Sequence, residues 1–264
     1  MNRLIRTDSF ARRFWPLFLL GLPGVASLLF SFPHALSGSE LPPELNNFSS
    51  TQLALLSLLQ PTLLLAIGAA LGAKLARPLG FHSDLVDTLT GSRIHRRNIY
   101  ANLYAAIVTG TAIALLTWLI EMAVFKPLLP DFFEKAAIQQ PRDFALTLSG
   151  LLYGGITEEV ISRWGIMSLL AWLGWKLFQP NRLKAGPAVI GGALLLSALL
   201  FGMLHLPAAA AIAPLNELLI VRIMMLNTLA ALAFGWLYWR RSLEAAMIAH
   251  AVTHLVMSLA TFLA

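Results

Sequence analysis

The sequence predicts an all-α polytopic membrane protein, a bundle of about seven transmembrane helices. Composition is the first reason: 58% of the 264 residues are hydrophobic and 12% are charged, against about 25% charged in an ordinary soluble domain. The mean hydropathy of +0.72 is the second. The third is spacing. Apolar runs recur at about 20 residues, the length that crosses roughly 30 Å of hydrocarbon, and short basic loops separate them.

The runs cover about 14–32, 52–73, 100–125, 144–170, 188–207, 215–239 and 243–263. Arg3, Arg6, Arg12 and Arg13 precede the first run; Lys74, Arg77, Arg93, Arg96 and Arg97 follow the second. Lys176, Arg182 and Lys184 follow the fourth, and Arg240 and Arg241 follow the sixth. That places 14 of the 19 basic residues on one side. The opposite loops carry Lys126, Lys135 and Arg142 beside Glu40, Glu44, Asp131, Glu134 and Asp143. The positive-inside rule then puts the N-terminus in the cytoplasm and the C-terminus outside, in what is expected to be a bacterial inner membrane. The first apolar run exceeds the roughly 7–15 residues of a signal-peptide core, and "HALSG" is a poor cleavage site, so a retained first span is expected. A net charge of +6 distributed this way reads as orientation, and no nucleic-acid partner is expected. The partners expected are the lipid bilayer and a protein or peptide substrate.

The chain has no cysteine, which removes disulfides, thiolate metal sites and cysteine nucleophiles together. Charge inside an apolar span is costly and usually faces a cavity. It falls mainly in three places. In "GGITEEVISRWG", Glu159 and Arg163 have the i, i+4 spacing and acid-first order of an intrahelical ion pair. Glu158 points elsewhere, free for proton transfer. In "SALLFGMLHL", Ser197, Phe201 and His205 share one helical face. In "AMIAHAVTHLV", His250 and His254 lie four apart, the spacing by which two imidazoles share one atom. Glu158 lies 25 residues before the turn near residue 183 and His205 lies 22 after it. Two antiparallel helices thus bring them to similar depth. The last pair sits shallower, a difference that helix tilt or a break at Gly154-Gly155 must absorb. Elsewhere, Glu121 and Arg222 read as snorkelling or pairing residues, with Arg222 a candidate partner for Glu158 or Glu159; Glu217 and Glu244 lie near span ends.

A carboxylate with imidazoles in a membrane cavity suits hydrolysis, where one group activates water and others stabilise an oxyanion. A serine mechanism matches poorly, because Ser149 in "LTLSG" lacks the preceding glycine of a G-x-S-G turn. All five aspartates (Asp8, Asp84, Asp87, Asp131, Asp143) fall in loops or at span edges, against an aspartyl mechanism. "HAVTH" has the histidine spacing of a zinc protease without its internal glutamate. A glutamate–histidine arrangement remains.

"EEVISR", then "FGMLH", then "HAVTH", on three successive motif-bearing spans, resembles the CPBP family of intramembrane proteases. That family includes CAAX-type prenyl endopeptidases and bacteriocin-processing or self-immunity proteins. The likeness covers about 144–263, including "FGWLYWRRSLEAAMIAH". It divides the chain into an N-terminal transmembrane region, 1–143, without motif, and a CPBP-like catalytic region, 144–264, within one membrane-embedded domain. The resemblance implies a glutamic-type intramembrane endopeptidase with its site between spans 4, 5 and 7. Glu158 would activate water with His205 assisting, Glu159 and Arg163 would position the site, and His250 would stabilise the oxyanion. His254 stands where the family usually has asparagine, and a neutral imidazole still donates one hydrogen bond there. No cofactor is expected. The alternative is one divalent metal such as zinc on Glu158, His205, His250 and His254. A non-catalytic immunity or scaffold protein of the same fold is a second alternative. A proton-coupled transporter is a third, disfavoured by the lack of paired repeats.

Overall fold

The computed structural model describes residues 9–36, 47–91, 96–139 and 143–263. Arg3, Arg6, Asp8, Glu40, Glu44, Arg93 and Arg142, which enter the charge reading above, lie outside the described residues. The elements run α1 (Phe10–Leu36), α2 (Ser50–Ser57), α3 (Leu59–Leu75), a 3-10 turn Arg77–Leu79, α4 (Asp84–Thr90) and α5 (Arg96–Ile120). A short π segment Glu121–Phe125, α6 (Lys126–Leu128), α7 (Pro130–Gln139) and α8 (Phe144–Ser149) follow. Next come two further π segments, here π2 (Gly150–Glu158) and π3 (Val160–Met167), and then α9 (Ser168–Phe178) and α10 (Pro187–Leu204). The chain ends with α11 (Leu206–Ala210), α12 (Glu217–Arg240) and α13 (Leu243–Leu263). Among the described residues there is no strand, so the all-α expectation holds.

Six helices are long and apolar enough to cross a membrane: Phe10–Phe30, Ser50–Leu75, Ile99–Leu128, Pro187–Ala210, Glu217–Arg240 and Leu243–Thr261. They correspond to the first, second, third, fifth, sixth and seventh expected spans, and the chain is an integral membrane protein. The fourth span is of another kind. It is helical from Phe144 to Phe178, but it carries Glu158, Glu159 and Arg163 at its centre and is wound wide through π2 and π3. No break occurs at Gly154-Gly155. The backbone absorbs the strain by the i→i+5 winding that recurs at functional sites.

Local chemistry sets the helix starts. Ser49 and Gln52 form a capping box at α2 (Ser49 N to Gln52 Oε1, 2.8 Å), and Asp143 accepts from Leu146 N at 2.8 Å to start α8. Asn216 does the same for α12 through Leu219 N, also at 2.8 Å. Each satisfies an amide that the first turn leaves without a helical partner.

The π2–π3 stretch is the enclosed centre, packed by α1, α3, α10 and α13. Thr157, Val160, Trp164 and Met167 are buried in it, with Leu65 and Ala69 of α3 opposite. Small residues permit that approach: a Cβ on Gly165 would sit 2.6 Å from Gly68 Cα of α3. Thr157 Oγ1 donates to Gly21 O at 2.7 Å and Ser149 Oγ to Ser27 O at 2.8 Å, tying this stretch to α1. Close contact of small residues with interhelical hydrogen bonds is how helices associate where lipid removes the hydrophobic drive. Ser149 is thereby a structural donor, its hydroxyl committed to a backbone carbonyl of α1. A second apolar cluster, Phe125, Leu129, Phe132, Ala209, Leu219 and Ile223, gathers α7 over α11 and the start of α12.

Candidate active site

Glu159 is fully buried and central. Its Oε1 lies 2.8 Å from His250 Nδ1 of α13, and its Oε2 lies 3.2 Å from Arg163 Nε. That oxygen has charge contact without an aligned hydrogen bond. The i, i+4 pair read from sequence therefore forms, and it extends across the bundle to α13. Arg163 is clamped on every side. Nη1 donates to Ser162 Oγ at 2.6 Å, and Nη2 donates to the Ala231 carbonyl of α12 at 3.2 Å. Its guanidinium carbon lies 4.7 Å from the Phe201 ring centre and 5.7 Å from that of Phe234. Ser162 Oγ in turn donates to the Glu158 carbonyl. A buried guanidinium needs such a shell, because its charge has lost its water.

His250 is stacked on Phe234, with centroids 4.6 Å apart and planes at 22°. Its other face meets His254, at 5.0 Å and 20°. The two Nε2 atoms are 3.2 Å apart. With Nδ1–H of His250 donating to the Glu159 carboxylate, its Nε2 presents a lone pair to His254, whose Nε2–H supplies the proton. Glu159, His250 and His254 thus form one polarised line. His254 occupies a notch in the wide-wound helix: a Cβ on Gly154 would sit 2.6 Å from His254 Nε2, and one on Gly150 2.8 Å from Nδ1.

Glu158, next to Glu159 in the chain, is half-buried. Its carboxylate makes no hydrogen bond or ion pair among the described residues, yet it acts electrostatically on Arg163, His250 and Tyr153. His205 ends α10. Its Nδ1 lies 2.7 Å from the Phe201 carbonyl, which fixes Nδ1 as the protonated nitrogen and leaves Nε2 as acceptor. Phe201 packs on both His205 (4.6 Å) and His250 (6.0 Å), and His205 also acts electrostatically on His250. The six residues singled out from the sequence are therefore brought together from the fourth, fifth and seventh spans.

Arg222 is the correction. It pairs with Glu121, Nε donating to Oε2 at 3.0 Å and Nη2 to Oε1, and it stacks over Phe132 and Phe133. Its carboxylate partner is Glu121, in the π turn Glu121–Phe125, and no hydrogen bond or ion pair joins it to Glu158 or Glu159 among the described residues. Glu244 is likewise engaged, accepting from Ser83 Oγ (2.5 Å), Asp84 N (2.7 Å) and Leu85 N (3.1 Å) at the start of α4. Phe234, Ser162 and Gly150 carry no catalytic motif and do not stand out in the sequence. Gly154 stands out there only as part of a possible helix break at Gly154-Gly155, not as the notch that seats His254.

The fit to a metal is poor. The His250–His254 nitrogen spacing suits a shared ion, but among the described residues no group of three or more His, Asp or Glu side chains converges as a ligand set. No step is routed through one.

No curated protein and no solved structure matches the chain. Residues 140–256 match the model of the type II CAAX prenyl endopeptidase Rce1-like family, in agreement with the CPBP resemblance. The matched stretch, a little under half of the chain, holds Glu158, Glu159, Arg163, His205, His250 and His254, and it is similar to the Rce1-like family of type II CAAX prenyl endopeptidases.

Proposed function

We propose that the protein is an intramembrane endopeptidase that hydrolyses a peptide bond with water activated by Glu158, without a metal. The observation that carries this reading is a half-buried carboxylate with no hydrogen bond among the described residues beside the hydrogen-bonded Glu159–His250–His254 line. Glu158 takes a proton from water as the water oxygen attacks the scissile carbonyl carbon. The C–O bond becomes single and its oxygen gains the negative charge. Glu158 then returns the proton to the leaving amine as the C–N bond breaks. His205, with Nε2 as acceptor, assists in holding the water. Glu159 holds His250 in the tautomer whose Nε2 is an acceptor, and His254 meets the oxyanion by turning its Nε2–H from His250 toward it. Arg163 fixes Glu159.

The substrate class is a protein or peptide segment presented at the membrane, and the family description points to prenylated C-terminal tails. The balance of basic loops favours a cytoplasmic N-terminus in a bacterial inner membrane. Because the chain lacks cysteine, single introduced cysteines report sidedness without background.

The test is cleavage of a peptide library, prenylated and not, by detergent-purified protein, wild type against Glu158→Gln, with and without chelator. Chelator-resistant cleavage that disappears in the variant supports the reading. Chelator-sensitive cleavage transfers it to a zinc enzyme. Unchanged biological activity in Glu158→Gln leaves a scaffold or immunity protein of this fold.

A further inference from the structure

The six site residues differ in how far they are enclosed, and the difference has a direction. From Glu159 to Gly165 every residue of the fourth span is buried, whereas six of the nine from Gly150 to Glu158 are partly exposed. On the seventh span His250 is buried, and His254, one turn farther from the basic loops, is partly exposed. His205 is partly exposed as well. On the basic-loop side of His250, Met167, Phe234, Leu237, Tyr238 and Leu243 are all fully buried. The hydroxyls of Tyr238 and Ser168 are 3.0 Å apart and satisfy each other within that floor. A cavity of about 230 Å³ does lie at the basic end, but it is lined by Trp164 and by none of the six site residues.

Helix length gives the same direction. α10 starts at Pro187, just after Arg182 and Lys184, and runs 18 residues to Leu204, about 27 Å at roughly 1.5 Å per residue. Its C-cap, His205, therefore sits near the opposite edge of a hydrocarbon layer about 30 Å thick. Basic residues are few at that end, Lys126 and Lys135 among the described loop residues, and the positive-inside rule makes it the non-cytoplasmic one. Water and a peptide backbone both have to reach Glu158, and a packed apolar floor bars polar groups that it cannot hydrogen-bond.

We propose that water and substrate reach Glu158 from the end opposite the basic loops, so that the segment cleaved is a juxtamembrane stretch of a protein on the non-cytoplasmic side. The access route follows from burial and helix length; the substrate assignment rests on the hydrolytic reading above. A prenylated tail held at the cytoplasmic face would meet the floor of Phe234, Leu237 and Tyr238 and would not reach the carboxylate.

The test uses the cysteine-free chain carrying one cysteine at a time. Thr88→Cys in α4 reports the basic end and Ala137→Cys in α7 the other, both at exposed positions. Glu158→Cys and Leu206→Cys report the site, the second from outside the catalytic machinery. Right-side-out and inside-out membrane vesicles of expressing cells are treated with a membrane-impermeant methanethiosulfonate. Ala137→Cys, Glu158→Cys and Leu206→Cys are expected to label at least tenfold faster in right-side-out vesicles, and Thr88→Cys at least tenfold faster in inside-out ones. Site cysteines that label faster from the Thr88 side, or from neither side while both reporters label, overturn the access route. Thr88→Cys labelled and Ala137→Cys protected in right-side-out vesicles reverses the orientation and overturns the substrate assignment. A membrane-impermeant peptide library should be cleaved by wild type at least tenfold faster in right-side-out than in inside-out vesicles, and not by Glu158→Gln. The opposite vesicle preference overturns the substrate assignment alone. Cleavage by Glu158→Gln at the wild-type rate defeats the hydrolytic reading and the substrate assignment with it, while the labelling still decides the route.

Discussion

His250 Nδ1 and Glu159 Oε1 meet at 2.8 Å across the interface between the fourth and seventh spans. This contact makes Glu159 a structural acid: both its oxygens are committed, one to His250 and one to Arg163. Glu159→Gln leaves Arg163 as a buried charge without its counter-ion, and breaking a buried pair on one side costs about 3–5 kcal/mol. A drop in thermal unfolding temperature in detergent is expected, with activity lost as a consequence. An unchanged unfolding temperature would contradict this account.

Glu158→Gln should behave oppositely. Its carboxylate holds nothing in place, so folding should be preserved while removal of a general base lowers turnover by about 10²–10⁴. Adjacent acids with opposite phenotypes, read by unfolding and peptide cleavage in parallel, are the sharpest check on the division of roles.

The spans, the charged positions and the Glu159–Arg163 pair were legible in the sequence because each rests on local period: 20-residue apolar runs, or four residues along one helix. The partner of Arg222 was not legible, since Glu121 lies 101 positions away and nothing local links them. Nor was the π winding of Gly150–Met167. The sequence showed that the depth of His254 needed correcting, yet winding, tilt and a break all meet that need, and only packing against α13 selects among them. Phe234 escaped for a third reason: a phenylalanine in an apolar helix is indistinguishable from its neighbours until its ring is seen stacked on His250.

Gly154 should tolerate no side chain while His254 is present. Its Cβ would lie 2.6 Å from His254 Nε2 and 3.5 Å from His250 Nε2. The imidazole can move, but only by leaving His250. Gly154→Ala is expected to cost about 1–3 kcal/mol of stability by overpacking and about 10²-fold in turnover, the order lost when a positioned group shifts by 1 Å. In a His254→Ala background the same methyl finds space, so the two stability changes should be strongly non-additive. Additive unfolding data would show that the notch does not set the imidazole.

Asp87 predicts a pH dependence outside the membrane. Burial, with Asp84 adding like charge, holds its carboxyl above the usual carboxylate value of 3.8, while His82 and Arg77 pull it back. A folded state that keeps this proton longer than the unfolded chain loses stability as pH rises from that value through the folded one. Lipid-free wild-type protein should therefore lose stability across that window relative to Asp87→Asn, and the two should differ least at the acid end. Parallel unfolding curves at every pH would refute the burial of this acid.

The Glu121–Arg222 pair supplies the last prediction. The two side chains are 13% and 14% exposed, and Arg222 is also covered by Phe132 at 4.7 Å and Phe133 at 5.3 Å. The pair pins the π turn of the third span to α12 beneath α7. Removing one charge strands the other among aromatic rings, so Glu121→Gln or Arg222→Met alone should destabilise by about 3 kcal/mol or more. Removing both together in Glu121→Leu/Arg222→Met abolishes the desolvated charges, and apolar replacement of such pairs is often neutral or stabilising. The double variant is therefore expected to unfold near the wild-type temperature, with turnover unchanged because neither group touches the Glu158 site. A double variant less stable than either single one would mean that the pair contributes net stability through its geometry, beyond cancelling its own burial.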